Sequence, residues 1–249
     1  MQKKLQTNTA EEILSTVYKP IEYFIDGLLA QGLYILAGSQ KVGKSWLALD
    51  ICHSIATGSD VLKRKTVQGT SLYLCLEDNY VRIQDRLFSI SALPTENMHF
   101  AVMADTIGNG LENQIEDFYN NHSDLKVIII DTLQKVRNET ESGYGKDYKE
   151  MSMLKALADK LRIAVVLIHH TRKSKDSDPF NMISGSTGIS GCADGSMVLV
   201  ETFRGSRKGT LYCVGRDIGN AEIAVEFDEA VMKWIVSDEP PPRKSHDNI

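Results

Sequence analysis

Gly38, Ser39, Gln40, Lys41, Val42, Gly43, Lys44 and Ser45 have the residue types and spacing of a phosphate cradle. They fit G-x-x-x-x-G-K-[ST], in which glycines let the backbone close around an anion. The loop's N–H groups and the positive end of the following helix then face one point, where phosphate is held. Lys44 adds a mobile charge for the β and γ phosphates, and the Ser45 hydroxyl can ligate Mg²⁺. Trp46 directly follows and is counted with the nucleotide-binding set. By themselves these residues could be a glycine turn. Here an apolar run, Leu33 to Ala37, precedes them and a helix-like run, Trp46 to Thr57, follows. Strand, glycine loop and helix is the context this chemistry requires.

Three further groups could complete a hydrolytic site. Asp131 closes Lys126-Val127-Ile128-Ile129-Ile130-Asp131 and would hold Mg²⁺, through water, beside Ser45. Glu77 ends Ser71-Leu72-Tyr73-Leu74-Cys75-Leu76 and is the candidate base that orients and deprotonates water. Asp78 competes for that role, and both carboxylates could be solvated turn residues. His169 ends the strand after that of Asp131 and can hydrogen-bond a γ-phosphate. If that strand continues, His170 points to the opposite side; the reading favours His169. Arg216, in Val214-Gly215-Arg216-Asp217, could reach a neighbouring subunit's γ-phosphate, or it could pair with Asp217 or face solvent.

These residues need a scaffold that brings strand ends together. Runs at 33–37, 71–76, 126–131 and 163–168 read as strands, several rich in β-branched residues and so buried on both faces of a parallel sheet. Helices at 44–57, 81–91 and 111–121 alternate with them, the first stopped by Gly58. Asp147-x-x-Glu150 reads as a capping box opening another helix, with Met151, Leu154, Leu157, Ala158 and Leu161 on one face. The alternation predicts an α/β fold with a mostly parallel sheet and helices on both faces. Ligands then sit beyond the carboxyl ends of the strands, where the glycine loop, Glu77, Asp131 and His169 all fall. Strands at 196–201, 210–215, 222–227 and 231–236 add an antiparallel β-rich extension. Residues 1–19 read as a polar arm with a helix from Glu11 to Tyr18, 20–236 as one domain, and 237–249, with its three prolines, as a disordered tail.

Composition narrows the function classes. The 249 residues carry a net charge of -5, so contact with nucleic acid must come from local patches. Arg172, Lys173 and Lys175 form one such run. Cys52, Cys75, Cys192 and Cys213 are widely spaced and read as buried free thiols of a reducing cytosol. No secretory leader and no apolar run long enough to span a membrane is read.

As an ordered set, Gly38-Ser39-Gln40-Lys41-Val42-Gly43-Lys44-Ser45-Trp46, Leu74-Cys75-Leu76-Glu77-Asp78-Asn79, Val127-Ile128-Ile129-Ile130-Asp131-Thr132, Leu167-Ile168-His169-His170-Thr171-Arg172-Lys173, Ile183-Ser184-Gly185-Ser186-Thr187-Gly188 and Val214-Gly215-Arg216-Asp217 resemble the RecA-like ATPases of the RepA type. These are hexameric-helicase-like proteins of phages, plasmids and mobile elements. The resemblance runs from about Tyr23 to Trp234. It implies a RecA-like core, ATP and Mg²⁺, and a ring, with six subunits one form, whose sites lie between subunits. It assigns Glu77 as base, Asp131 as metal-holding aspartate, His169 as γ-phosphate sensor and Arg216 as a residue acting in trans. It places loops 134–146 and 172–190 toward single-stranded DNA. Helicase activity follows from that kinship, ATP hydrolysis from the residues themselves. A second reading is an ATP-switched loader that recruits a replication or recombination protein. A small-molecule kinase is weaker, since no acceptor pocket or lid is read.

Overall fold

The computed structural model describes residues 5–90, 92–137, 143–172, 174, 176–185 and 187–239. Helix α1 (Ala10–Ser15) is followed by a small hairpin, β1 (Tyr23–Ile25) and β2 (Leu29–Ala30). Then come β3 (Gly32–Gly38), α2 (Lys44–Thr57), β4 (Thr70–Cys75), α3 (Tyr80–Ser89), β5 (Met98–Ala101), α4 (Leu111–Asn121) and β6 (Leu125–Asp131). The chain continues through α5 (Tyr144–Leu161), β7 (Ala164–His170), α6 (Thr187–Cys192) and four strands, β8 (Gly195–Glu201), β9 (Lys208–Gly215), β10 (Ala221–Asp228) and β11 (Lys233–Val236).

One nine-stranded sheet carries the molecule, in the order β11-β10-β9-β8-β3-β7-β6-β4-β5. From β5 to β8 all neighbours are parallel; β9, β10 and β11 continue it antiparallel. The expected α/β architecture with its antiparallel extension is therefore present. The central strands are the β-branched runs, and Leu33 to Ala37, Val127 to Ile130 and Ala164 to Leu167 have no exposed surface. Such runs suit a strand covered on both sides, because every side chain then loses water.

Strand alternation divides the core in two. Tyr34, Leu36, Tyr73, Cys75, Val127, Ile129, Val166 and Ile168 face α2, α3 and the hairpin. Leu33, Ile35, Ala37, Ile128, Ile130, Val165 and Leu167 face α4, α5 and α6. The lead-in at 20–29 is the β1–β2 hairpin, whose Phe24, Ile25, Leu28 and Leu29 are buried in the α2-side core.

Two local expectations change. Helix α5 starts at Tyr144 after Gly143, three residues before Asp147. Asp147 and Glu150 are not a capping box; both are buried and pair with Arg137. Residues 174–191 are not all loop: they contain a 3-10 turn, Pro179–Met182, and α6. Two glycines hide α6 from propensity, while buried Ile189 and Cys192 hold it against the α5 side of the core. The expected disordered tail falls mostly on residues 240–249, outside the described residues, as do Lys173 and Lys175 of the basic run.

Candidate active site

The phosphate loop rides on the most central position of the sheet. Strand β3 lies between β7 and β8 and ends at Gly38, after which the chain turns into α2. Gly43 sits at φ +96, a left-handed conformation that glycine adopts without strain. A side chain there would also strike Trp234, whose Nε1 lies 2.8 Å from an ideal Cβ position. That indole instead donates to the Gly43 carbonyl at 3.2 Å, so β11 braces the loop from outside.

Around it, the strand ends deliver side chains according to their parity. Asp131 continues the Val127–Ile129 face and Tyr73 lies on the same face of β4. The Ser45 hydroxyl donates to Asp131 Oδ2 at 2.7 Å, and the Tyr73 hydroxyl donates to the same oxygen at 2.8 Å. Lys44 is 5% exposed and donates to the carbonyls of Gly38 at 2.9 Å and Ser39 at 2.8 Å. Burial lowers its pKa to about 8, against the pull of Asp131 and Glu77. Burial likewise raises Asp131, opposed by the hydrogen bonds from Ser45 and Tyr73.

Glu77 and Asp78 separate clearly. Asp78 is bound to Arg82 at 2.8 Å and Arg86 at 2.5 Å, and Arg86 in turn lies 5.7 Å over the Trp46 ring. Glu77 accepts one weak bond, from Thr132 Oγ1 at 3.3 Å. Asp78 is thus committed to holding the turn, and Glu77 keeps lone pairs for a ligand.

The two histidines face opposite ways. His169 follows the Leu167 face toward α5; it is 8% exposed, and its Nε2 lies 3.0 Å from the Ser184 carbonyl. His170 follows the Ile168 face, the one shared by Asp131 and Tyr73. Burial depresses its pKa, next Lys44, with Glu77 and Asp131 opposing, and its buried Nδ1 has no hydrogen bond among the described residues. A cavity of about 430 Å³ runs from Ser39, Gln40 and His170 to Arg172 and Arg204. Position on the sheet therefore favours His170 for the phosphate and ties His169 to the Ser184 loop.

Arg216 stands apart. Gly215 pairs with Gly195, which pairs with Tyr34, at the start of β3. Arg216 therefore lies at the sheet edge opposite the phosphate loop. Its side chain is 64% exposed, 3.7 Å from Asp194, not Asp217.

Tyr73 was missed by sequence reasoning. A tyrosine inside a buried strand needs a partner for its hydroxyl, and that signal pointed to a polar group at the sheet edge.

The donor set suits a nucleotide with a divalent ion. Two of the three Lys44 donors are used on loop carbonyls, and one hydroxyl and one carboxylate converge at 2.7 Å. Among the described residues no cluster of three or more His, Cys, Asp or Glu could hold a metal. A Mg²⁺ here would keep waters and phosphate oxygens as its remaining ligands.

A P-loop ATPase is the class that this sheet and site define. The family model described as AAA domain (AAA_25) matches residues 2–176, and the chain belongs to that family. Its fold is the RecA-like core: the solved ATPase domain of a phage helicase is similar with a TM-score of 0.69, over 84% of this chain and 85% of that one. At 13% identity that similarity is one of fold. No helix among the described residues is long and apolar enough to cross a membrane.

Burial also makes stability pH-dependent. His53 and His169 are 7% and 8% exposed, and burial lowers both from 6.5. The unfolded chain then binds protons that the native chain refuses, so their contribution is present above pH 6.5 and is lost as pH falls through it. A His53→Gln variant, compared with wild type by urea denaturation at several pH values, should lose less stability below pH 6.5. The difference should approach one proton, roughly tenfold in the folding constant per pH unit. Parallel curves would show that His53 does not titrate this way.

Proposed function

We propose that the chain is a Mg²⁺-dependent ATPase of the RepA type, a cytoplasmic ring protein acting on single-stranded DNA in replication or recombination. Residues 20–236 form its ATPase domain. Lys44 binds the β and γ phosphates, and Ser45 and Asp131 hold the ion, which neutralises charge on the phosphates when bound. Glu77 orients and deprotonates water. His170, beside Lys44 and at the mouth of the cavity leading to Arg172, senses the γ-phosphate and passes its presence to the 172–190 loop.

The observation that carries the reading is the position of Arg216. At the sheet edge away from its own phosphate loop, it can complete only another copy's site. Head-to-tail contact of this kind closes into a ring. The test mixes two inactive proteins. Arg216→Ala and Lys44→Ala should each lose about 10³-fold or more in hydrolysis. Their mixture should regain activity, because a Lys44→Ala copy supplies Arg216 to an intact phosphate loop. A mixture as dead as its parts ends the trans role. Single-stranded DNA should stimulate wild-type hydrolysis; indifference to DNA would remove the DNA reading and leave the ATP-switched loader.

A further inference from the structure

Ala10, Ile13, Leu14, Val17 and Tyr18 stand at i, i+3, i+4, i+7 and i+8, the spacing of one apolar helix face. Thr9 and Glu12 close a capping box at its start, with bonds of 2.6 and 3.1 Å. The sequence therefore encodes a helix through Tyr18. In the single chain, α1 stops at Ser15 and Thr16 is already extended. No residue of α1 is buried, and Leu14 and Val17 are 87% and 98% exposed. So short a helix needs a surface for its stripe, and its own chain provides none among the described residues.

The arm's exit point says where that surface lies. Arg162 donates to the Pro20 carbonyl at 2.5 Å, and the Tyr23 hydroxyl donates to the Asp217 carbonyl at 2.8 Å. The arm thus leaves the body beside Arg216. The contact that brings Arg216 to a neighbouring phosphate site also brings the arm there. At that site α3 follows directly from Glu77 and Asp78. It buries only Ile83 and exposes Tyr80, Val81 and Phe88 by 60, 68 and 74%, with Leu93 just beyond at 70%. Arg82 on α3 is basic and 58% exposed, and the arm's first turn carries Glu11 and Glu12.

We propose that the N-terminal arm of one copy docks on α3 of the next copy and becomes helical through Tyr18 as it does so. The apolar stripe covers Val81, Phe88 and Leu93, and Glu11 and Glu12 face Arg82. The proposal rests on the trans-site reading, because it uses the same neighbour. It adds a second tie that fastens each copy to the turn bearing the neighbour's Glu77.

The test uses the full chain, whose four cysteines are buried. A Leu14→Cys chain and a Phe88→Cys chain are mixed with a non-hydrolysable ATP analogue and a short bis-maleimide. Cross-linked pairs joining the two chains are expected in the mixture. A Leu14→Glu, Val17→Glu double variant should keep wild-type stability in urea, since both side chains are already exposed. Its assembly should weaken by at least roughly tenfold. Wild-type-like assembly of that variant without cross-links would overturn the arm while Arg216 and Lys44 complementation still holds. Cross-linking confined within a chain carrying both cysteines would also overturn it, placing the arm on its own α3. A monomer under every condition would overturn the arm and the trans site together.

Discussion

Glu77→Gln is expected to leave ATP bound and almost unhydrolysed, with kcat down by about 10²–10⁴. Glutamine keeps the size and the contact with Thr132 but cannot take a proton from water. The neighbouring carboxylate cannot substitute, because Asp78 is held by both Arg82 and Arg86. Asp78→Asn should lower the melting temperature more than kcat. The measurement pairs steady-state hydrolysis with nucleotide affinity. A Glu77→Gln protein that hydrolyses ATP at close to the wild-type rate would remove Glu77 from the role of base. One that fails to bind ATP would make it a binding residue instead.

Arg137→Ala should destabilise the fold by about 3–5 kcal/mol, the range for leaving buried partners of an ion pair uncompensated. Arg137 reaches Asp147 and, at 2.7 Å, Glu150. The two acids are 6% and 5% exposed, so neither recovers water when the guanidinium goes. Urea denaturation of the nucleotide-free protein measures the loss. A change below about 1 kcal/mol would show that the α5 carboxylates have another source of compensation.

What could be read from the chain depended on how local its cause was. Helix α2 occupies 44–57 as expected because both of its ends are fixed by neighbours in sequence, Gly43 and Gly58. The strand ending in Asp131 was legible because a β-branched run has few other uses. The phosphate loop was legible for the same reason, its motif being contiguous. Helix α5 began earlier than expected because Asp147 and Glu150 answer to Arg137, across a loop. The choice between His169 and His170 turned on which face of β7 meets α2, and that depends on pairing among distant strands. Asp78 looked equivalent to Glu77 until Arg82 and Arg86 were seen to occupy it. Tyr73 became part of the site only through the register that sets β4 beside β6.

The chain has two tryptophans, and both touch the same few residues. Trp46 follows Ser45 under Arg86, and Trp234 is hydrogen-bonded to Gly43. Ultraviolet emission from this protein is therefore a local optical signal, free of background from other indoles. Filling the loop with a nucleoside triphosphate should change that emission without any added dye. Replacing each tryptophan in turn with phenylalanine would assign the change to the inner or the outer side of the loop. An emission spectrum indifferent to nucleotide, in protein that binds it by another measure, would mean that the loop closes without disturbing either ring.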